Sequence, residues 1–215
     1  MRLLLATTNE GKIRELRDLL SDCEFEIVGL GDRAVDEDIE TGTTFEENAL
    51  LKARYYHTMT GMPTIADDSG LEVDALAGAP GVYSARYGGS TDADRTAKLL
   101  EEMRGVPGER RGARFVCAAA IVWDKGERVF EDEARGVLLD HTRGAGGFGY
   151  DPIFFYPPLG KTFAELSNEE KEKVSHRGRA FSRLREWLST GPLLDSAKSG
   201  DKIEDLTGNL PASTN

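Results

Sequence analysis

Apolar positions along this chain fall alternately into short continuous runs and helical stripes. Leu3 to Ala6 form an unbroken run, which reads as a buried first strand over residues 2–6. Ile13, Leu16, Leu19 and Leu20 follow at spacings of three and four, so a helix is predicted from Lys12 to Leu20 with Asn9 as its N-cap. Phe25 to Leu30 reads as a second strand, and Phe45 to Met59 as a long helix with Phe45, Ala49, Ala53 and Tyr56 on one face. Thr44 with Glu47 makes a capping box ahead of it. A strand is predicted over Thr64 to Asp67, a helix over Ala93 to Met103, and a Pro/Gly-rich loop over 105–112. Arg114 to Trp123 carries the densest strand pattern, and Arg128 to Ala134 pairs with it as a hairpin through Asp124, Lys125 and Gly126. Ser167 and Glu170 form a second capping box, and a last helix is predicted from Ser175 to Leu188. Strand–turn–helix units interrupted by a hairpin predict the α/β class, with a long mixed sheet flanked by helices.

At 215 residues the chain is long enough for one large domain with a substantial core. Residues 1–190 read as that domain, and 191–215 as a polar tail, punctuated by Gly and Pro and expected to be flexible. No stretch approaches a membrane span, and the apolar start is too short for a signal-peptide core, so a cytoplasmic protein is expected. The net charge of −11 opposes nonspecific binding to nucleic acid or anionic membrane, so neither partner is expected. Cys23 and Cys117 form neither a disulfide framework nor a zinc pattern and read as small buried hydrophobes.

The chemistry concentrates at Asp67-Asp68-Ser69-Gly70, read as the point where a strand leaves the core. Adjacent carboxylates repel, and a bound divalent cation such as magnesium gives a reason to place them together. Gly70 is read as permitting a sharp turn there. Upstream, Asp36-Glu37-Asp38-Ile39-Glu40 either contributes a further metal ligand or is a charged loop. Thr7, Thr8, Asn9, Glu10, Gly11 and Lys12 bring hydroxyls, an amide, a lysine and a helix start together. That set suits a phosphate chain, or is an ordinary capped turn; it is not a Walker A loop. Gly144 to Gly149 matches G-x-G-x-x-G literally, yet Tyr150-Asp151-Pro152 follows where a dinucleotide site needs a helix. The segment reads instead as a mobile glycine loop presenting Phe148, which either stacks on a base or packs in the core. Lys171, His176 and Arg177 offer donors near the last helix start. Neither G-x-S-x-G nor H-E-x-x-H occurs, so nucleophilic-serine and zinc-protease chemistry have no support.

Together these segments resemble the inosine triphosphate pyrophosphatase family. The resemblance rests on Ala6 to Lys12, Thr41 to Ala49, Ala66 to Leu71, Gly78 to Arg86, Gly147 to Phe154, Glu170-Lys171 and Ser175-His176-Arg177, in that order. It implies a two-lobed α/β protein with a nucleotide cleft, a homodimer, and Mg2+-dependent hydrolysis of ITP, dITP and XTP to the monophosphate and pyrophosphate. By position it implies that Thr7, Thr8, Asn9, Glu10, Gly11 and Lys12 hold phosphates. Asp68 is then the metal ligand and catalytic base, and Ser69 touches substrate. Phe148, Gly149, Tyr150, Asp151, Lys171, His176 and Arg177 then line the nucleotide pocket. The chain departs from the family pattern at Ile39, where an acid is usual, so the second metal ligand falls to Glu40 or Asp38. A non-catalytic nucleotide binder and a pyrophosphatase for pyrimidine or modified nucleotides are the competing classes.

Overall fold

The computed structural model describes residues 1–21, 24–31, 39–191 and 193. Seven strands form one sheet in the order β2-β1-β3-β4-β5-β6-β7. They are β1 (Arg2–Leu5), β2 (Glu26–Gly29), β3 (Thr64–Val73), β4 (Gly112–Trp123), β5 (Gly126–Leu138), β6 (Phe154–Tyr156) and β7 (Lys161–Thr162). Strand β1 pairs in parallel with β2 and β3, and every later pairing is antiparallel, so the sheet is mixed as the pattern predicts. The helices are α1 (Glu10–Leu19), α2 (Phe45–Thr60), α3 (Asp92–Glu102), α4 (Asn168–Val174) and α5 (His176–Ser189).

Local chemistry sets the helix starts. Asn9 accepts from the Lys12 amide, and the Thr44–Glu47 and Ser167–Glu170 capping boxes both form. Both faces of the central strands are covered, which explains why β4 is apolar almost throughout. Cys117, Ala119 and Ile121 pack with Leu16, Phe181 and Leu184 beneath α1 and α5. Val116, Ala118, Ala120 and Val122 pack with Phe45, Ala49, Ala53 and Tyr56 beneath α2. A third cluster joins Leu99 and Met103 of α3 to Phe115, Tyr150, Ile153, Phe154 and Phe163.

Three readings of the sequence change. Strand β3 does not end at Asp67; it runs on to Val73, in register with β4 from Thr64↔Val122 to Val73↔Ala113. The two acids therefore sit in mid-strand. Gly70 makes no sharp turn but lies inside β3, where a Cβ would stand 2.4 Å from Ser84 Oγ, 2.5 Å from the Gly81 carbonyl and 2.9 Å from the Phe45 ring. Its missing side chain lets a neighbouring segment close over the strand. Strands β6 and β7 were not predicted, since segments of three and two residues beside prolines carry almost no periodic signal. Cys117 is buried, as expected, whereas Cys23, Asp36, Glu37, Asp38 and residues 194–215 of the predicted tail lie outside the described residues. No helix among the described residues is long and apolar enough to cross a membrane.

Candidate active site

Side chains alternate across a strand, so Asp67 and Asp68 point to opposite faces of β3. Asp67 faces α1 and α5 with Ile65, and Asp68 faces α2 with Ala66. The mutual repulsion inferred from their adjacency therefore does not arise, and neither acid supports the other.

On the α1/α5 face, Lys12 Nζ lies 3.0 Å and Arg177 Nε 3.4 Å from Asp67 Oδ2. Burial opposes the Asp67 charge, but Lys12, Arg177 and Lys52 outweigh it and hold this carboxyl well below the usual range. The Arg177 guanidinium also donates to Glu15 Oε2 at 2.6 Å and Ser69 Oγ at 2.7 Å. Lys171 donates to Glu15 Oε1 at 2.7 Å and to Asp151 Oδ2 at 2.6 Å. Although burial acts against it, Glu15 stays below the ordinary carboxylate value because Arg177 and Lys171 flank it.

His176 is buried and stacks on Phe115 with ring centroids 4.7 Å apart and planes 9° from parallel. Burial, reinforced by Arg177 and Lys171, pushes its pKa well below the ordinary value, so the ring is neutral at pH 7. Its Nδ1 has no hydrogen-bond partner among the described residues.

The α2 face is arranged differently. Asn48 Nδ2 donates to Asp68 Oδ2 at 3.0 Å, and the Ser69 amide donates to Oδ1 at 2.9 Å. Lys52 Nζ lies 2.6 Å from Glu40 Oε1, 4.0 Å from Asp68 Oδ1 and 2.7 Å from the Asp67 carbonyl. Arg86 reaches Glu40 at 3.7 Å. Burial pushes the Asp68 pKa above its ordinary value; Lys52 and Lys12 oppose the rise and Glu40 adds to it. Asp68 and Glu40 thus share one ammonium, and their hard oxygens are the donor type magnesium takes. Magnesium commonly binds one or two carboxylates and completes its shell with substrate phosphates. The pair fits such a substrate-completed site, while no three His, Cys, Asp or Glu side chains among the described residues form a full protein cage. Ile39 packs into the core beneath α2, which leaves Glu40 as the described acid of that segment.

Asn9, Lys12, Ser69, Phe148, Gly149, Tyr150, Asp151, Lys171, His176 and Arg177 line one cavity of about 90 Å³, whose wall also includes Gly70, Ser84, Ala85, Asp92, Arg95 and Phe115. Phe148 is half-buried, with Lys171 Nζ 4.9 Å and Arg177 Cζ 5.5 Å from its ring centroid. Behind this ring, Gly11 borders a second cavity of about 370 Å³ that shares Phe148 and Lys171. Thr7 accepts from the Asn9 amide at 3.3 Å, and Thr8 and Glu10 are exposed at the same turn. Asp68 and Glu40 do not line the small cavity; they belong to the α2 face.

The motif reading missed Glu15, Asn48 and Lys52. A signal existed for the last two: they interrupt the apolar stripe that runs from Phe45 to Tyr56, and both are buried there. A polar residue in such a stripe needs a partner inside the protein. Glu15 sits three residues after Lys12, on the same helix face, which is suggestive only once α5 is known to pack alongside.

Comparison with known proteins agrees with this geometry. A profile of the Ham1 family matches residues 3–187. A dITP/XTP pyrophosphatase of Thermus thermophilus is 51% identical over 194 residues, covering 89% of this chain and 94% of that relative. One of Shigella flexneri is 51% identical over 195 residues, covering 88% and 99%. Among solved structures, a HAM1 protein from Coxiella burnetii superposes with a TM-score of 0.80 at 39% identity, covering 89% of this chain and 100% of that one. A nucleoside-triphosphatase, or dITP/XTP pyrophosphatase, from Mycobacterium abscessus gives a TM-score of 0.70 at 47% identity, covering 86% and 98%. Motif order, sheet architecture and near-complete coverage agree: this chain belongs to the Ham1 family.

Proposed function

We propose that this protein is a magnesium-dependent nucleoside triphosphate pyrophosphatase that hydrolyses dITP, ITP and XTP to the monophosphate and pyrophosphate, and so clears deaminated purines from the nucleotide pool. Relatives about half identical over nearly the whole chain bear the name dITP/XTP pyrophosphatase, which supports the reaction class. The observation that carries the reading is the division of cations along β3: Lys12 and Arg177 pair with Asp67 on one face, whereas Asp68 on the other lies 4.0 Å from Lys52 and keeps a raised pKa.

Asp68 is the general base. Asn48 fixes its orientation, and burial raises its pKa when no metal is bound. Lys12 and the N-terminal amides of α1 receive the negative charge of the departing pyrophosphate. Asp68 and Glu40 would hold magnesium, which would supply charge neutralisation at the phosphate oxygens. Phe148 stacks on the base, and Arg177 donates towards the 6-oxo group of hypoxanthine or xanthine. For that, its guanidinium exchanges one of its present contacts with Glu15, Asp67 or Ser69. Adenine presents an amine at that position, and a donor facing a donor lowers its rate. The same reading takes residues 1–190 as one two-lobed domain with the nucleotide between the lobes, acting as a homodimer in the cytoplasm.

The test is pyrophosphate release with magnesium across dITP, ITP, XTP, ATP, GTP, dUTP and dCTP, with and without a chelator. Rapid release from the first three, suppressed by the chelator, is the expected result. Release from the pyrimidine nucleotides at equal rates overturns the substrate assignment, and release from none overturns the activity.

A further inference from the structure

The Phe148 loop is held from outside the motifs. The Phe148 amide donates to Asp151 Oδ2 at 2.9 Å, which is a bond within the pocket. The next peptide is held by the first turn of α3, more than fifty residues earlier. The Gly149 amide donates to Asp92 Oδ2 at 2.6 Å, and the Gly149 carbonyl accepts from Thr96 Oγ1 at 3.4 Å.

Asp92 is not needed to start its own helix. Thr91 and Asp94 already form the capping box of α3. The Asp92 carboxylate is instead divided between the Gly149 amide and the Arg95 guanidinium. Helix α3 is itself rigidly seated, because Leu99 and Met103 are fully buried in the cluster that also holds Tyr150 and Ile153. Both backbone polar groups of Gly149 are thus tied to a fixed element, and the ring of the residue before it is aimed at Lys171 and Arg177.

We infer that Asp92 is a positioning residue for the nucleobase: it anchors the Gly149 peptide so that Phe148 stands ready to stack, without touching the phosphates or the reacting atoms. This rests on the pyrophosphatase reading only in taking Phe148 as the stacking ring. A charge-assisted hydrogen bond to a backbone amide contributes more than a neutral one. Its loss therefore falls on base affinity.

The experiment compares wild type with Asp92→Ala and Asp92→Asn. Calorimetry measures binding of two probes: inosine monophosphate, which carries a 6-oxo base, and inorganic tripolyphosphate, which carries none. For Asp92→Ala, inosine monophosphate is expected to bind about 10- to 30-fold more weakly while tripolyphosphate affinity stays unchanged. In turnover of dITP the same variant raises KM with kcat within about twofold, the signature of lost ground-state and transition-state binding alike. Asp92→Asn keeps an acceptor for the Gly149 amide and recovers most of the affinity. The denaturation midpoint of both variants stays near that of wild type, since the α3 cap is intact. Unchanged inosine monophosphate binding in Asp92→Ala overturns the inference, as does an equal loss for both probes. Wild type that fails to turn over dITP overturns the pyrophosphatase reading, whereas the contrast between the two probes still judges the anchor.

Discussion

Two neighbouring carboxylates on one strand occupy opposite electrostatic worlds. Asp67 is sealed between α1 and α5, with Lys12 and Arg177 on one of its oxygens, and is kept ionised. Asp68, one residue on, faces α2, where its nearest cation is 4.0 Å away and shared with Glu40, and burial raises its pKa. The difference shows how a strand separates two tasks within 3.3 Å or so of chain rise. One face supplies a fixed negative charge that organises cations. The other supplies a carboxylate with spare proton affinity. Adjacency in sequence is misleading here, because the pleat turns the two groups to opposite faces, although the charges of Lys12 and Lys52 act on both.

The largest expected effect tests the reactive face. Asp68→Asn should slow pyrophosphate release by about 10²–10⁴-fold, the range for loss of a general base. Its denaturation midpoint at neutral pH should equal or exceed that of wild type, because a carboxylate whose folded pKa is raised costs stability when ionised. A rate within about tenfold of wild type removes Asp68 as the base.

The organising face should respond in the opposite sense. Asp67→Asn leaves Lys12 and Arg177 facing a neutral group, and denaturant unfolding should show a loss of about 3–5 kcal/mol. Since the folded pKa of Asp67 is depressed, its contribution is present above the ordinary value of 3.8 and drains away as pH falls below it. If both variants lose stability equally, the contrast between the faces is wrong.

His176 sharpens the comparison from the same side. It is neutral in the folded protein and protonates in the unfolded chain near its ordinary value of 6.5. Stability should therefore fall as pH drops through that value, by about 1.4 kcal/mol per pH unit below it. Urea midpoints measured between pH 5 and 7 should show that slope in wild type and lose it in His176→Phe.

The smallest effect concerns Lys52, which counters the rise in the Asp68 pKa. Lys52→Met should shift the acid limb of the kcat/KM profile upward, whatever it does to the absolute rate. A limb that stays in place would mean that another group titrates there.

Much of the fold was legible because it is written locally. The apolar stripe of α2 and its Thr44–Glu47 box mark that helix to within a residue or two, and the Asp124–Gly126 turn marks the hairpin of β4 and β5. The end of β3 was not legible. Asp-Asp-Ser-Gly reads as a turn, and only pairing with ten residues of β4 makes it strand. The site was half legible for the same reason. Lys12, Phe148, Lys171 and Arg177 stand in recognisable segments, whereas Glu15 and Asp92 gain meaning only from partners far away in the chain.

What the chain determined by itself, then, is the order of its elements, the burial of both sheet faces and the motifs that mark the family. These follow from side-chain period, caps and turn residues, all of which act over a few positions. Which face each carboxylate takes, which acids share Lys52 and what anchors the Phe148 loop were decided only by the tertiary structure. Those contacts join segments separated by up to about 160 residues, and their geometry is set by strand register and helix packing rather than by any local preference.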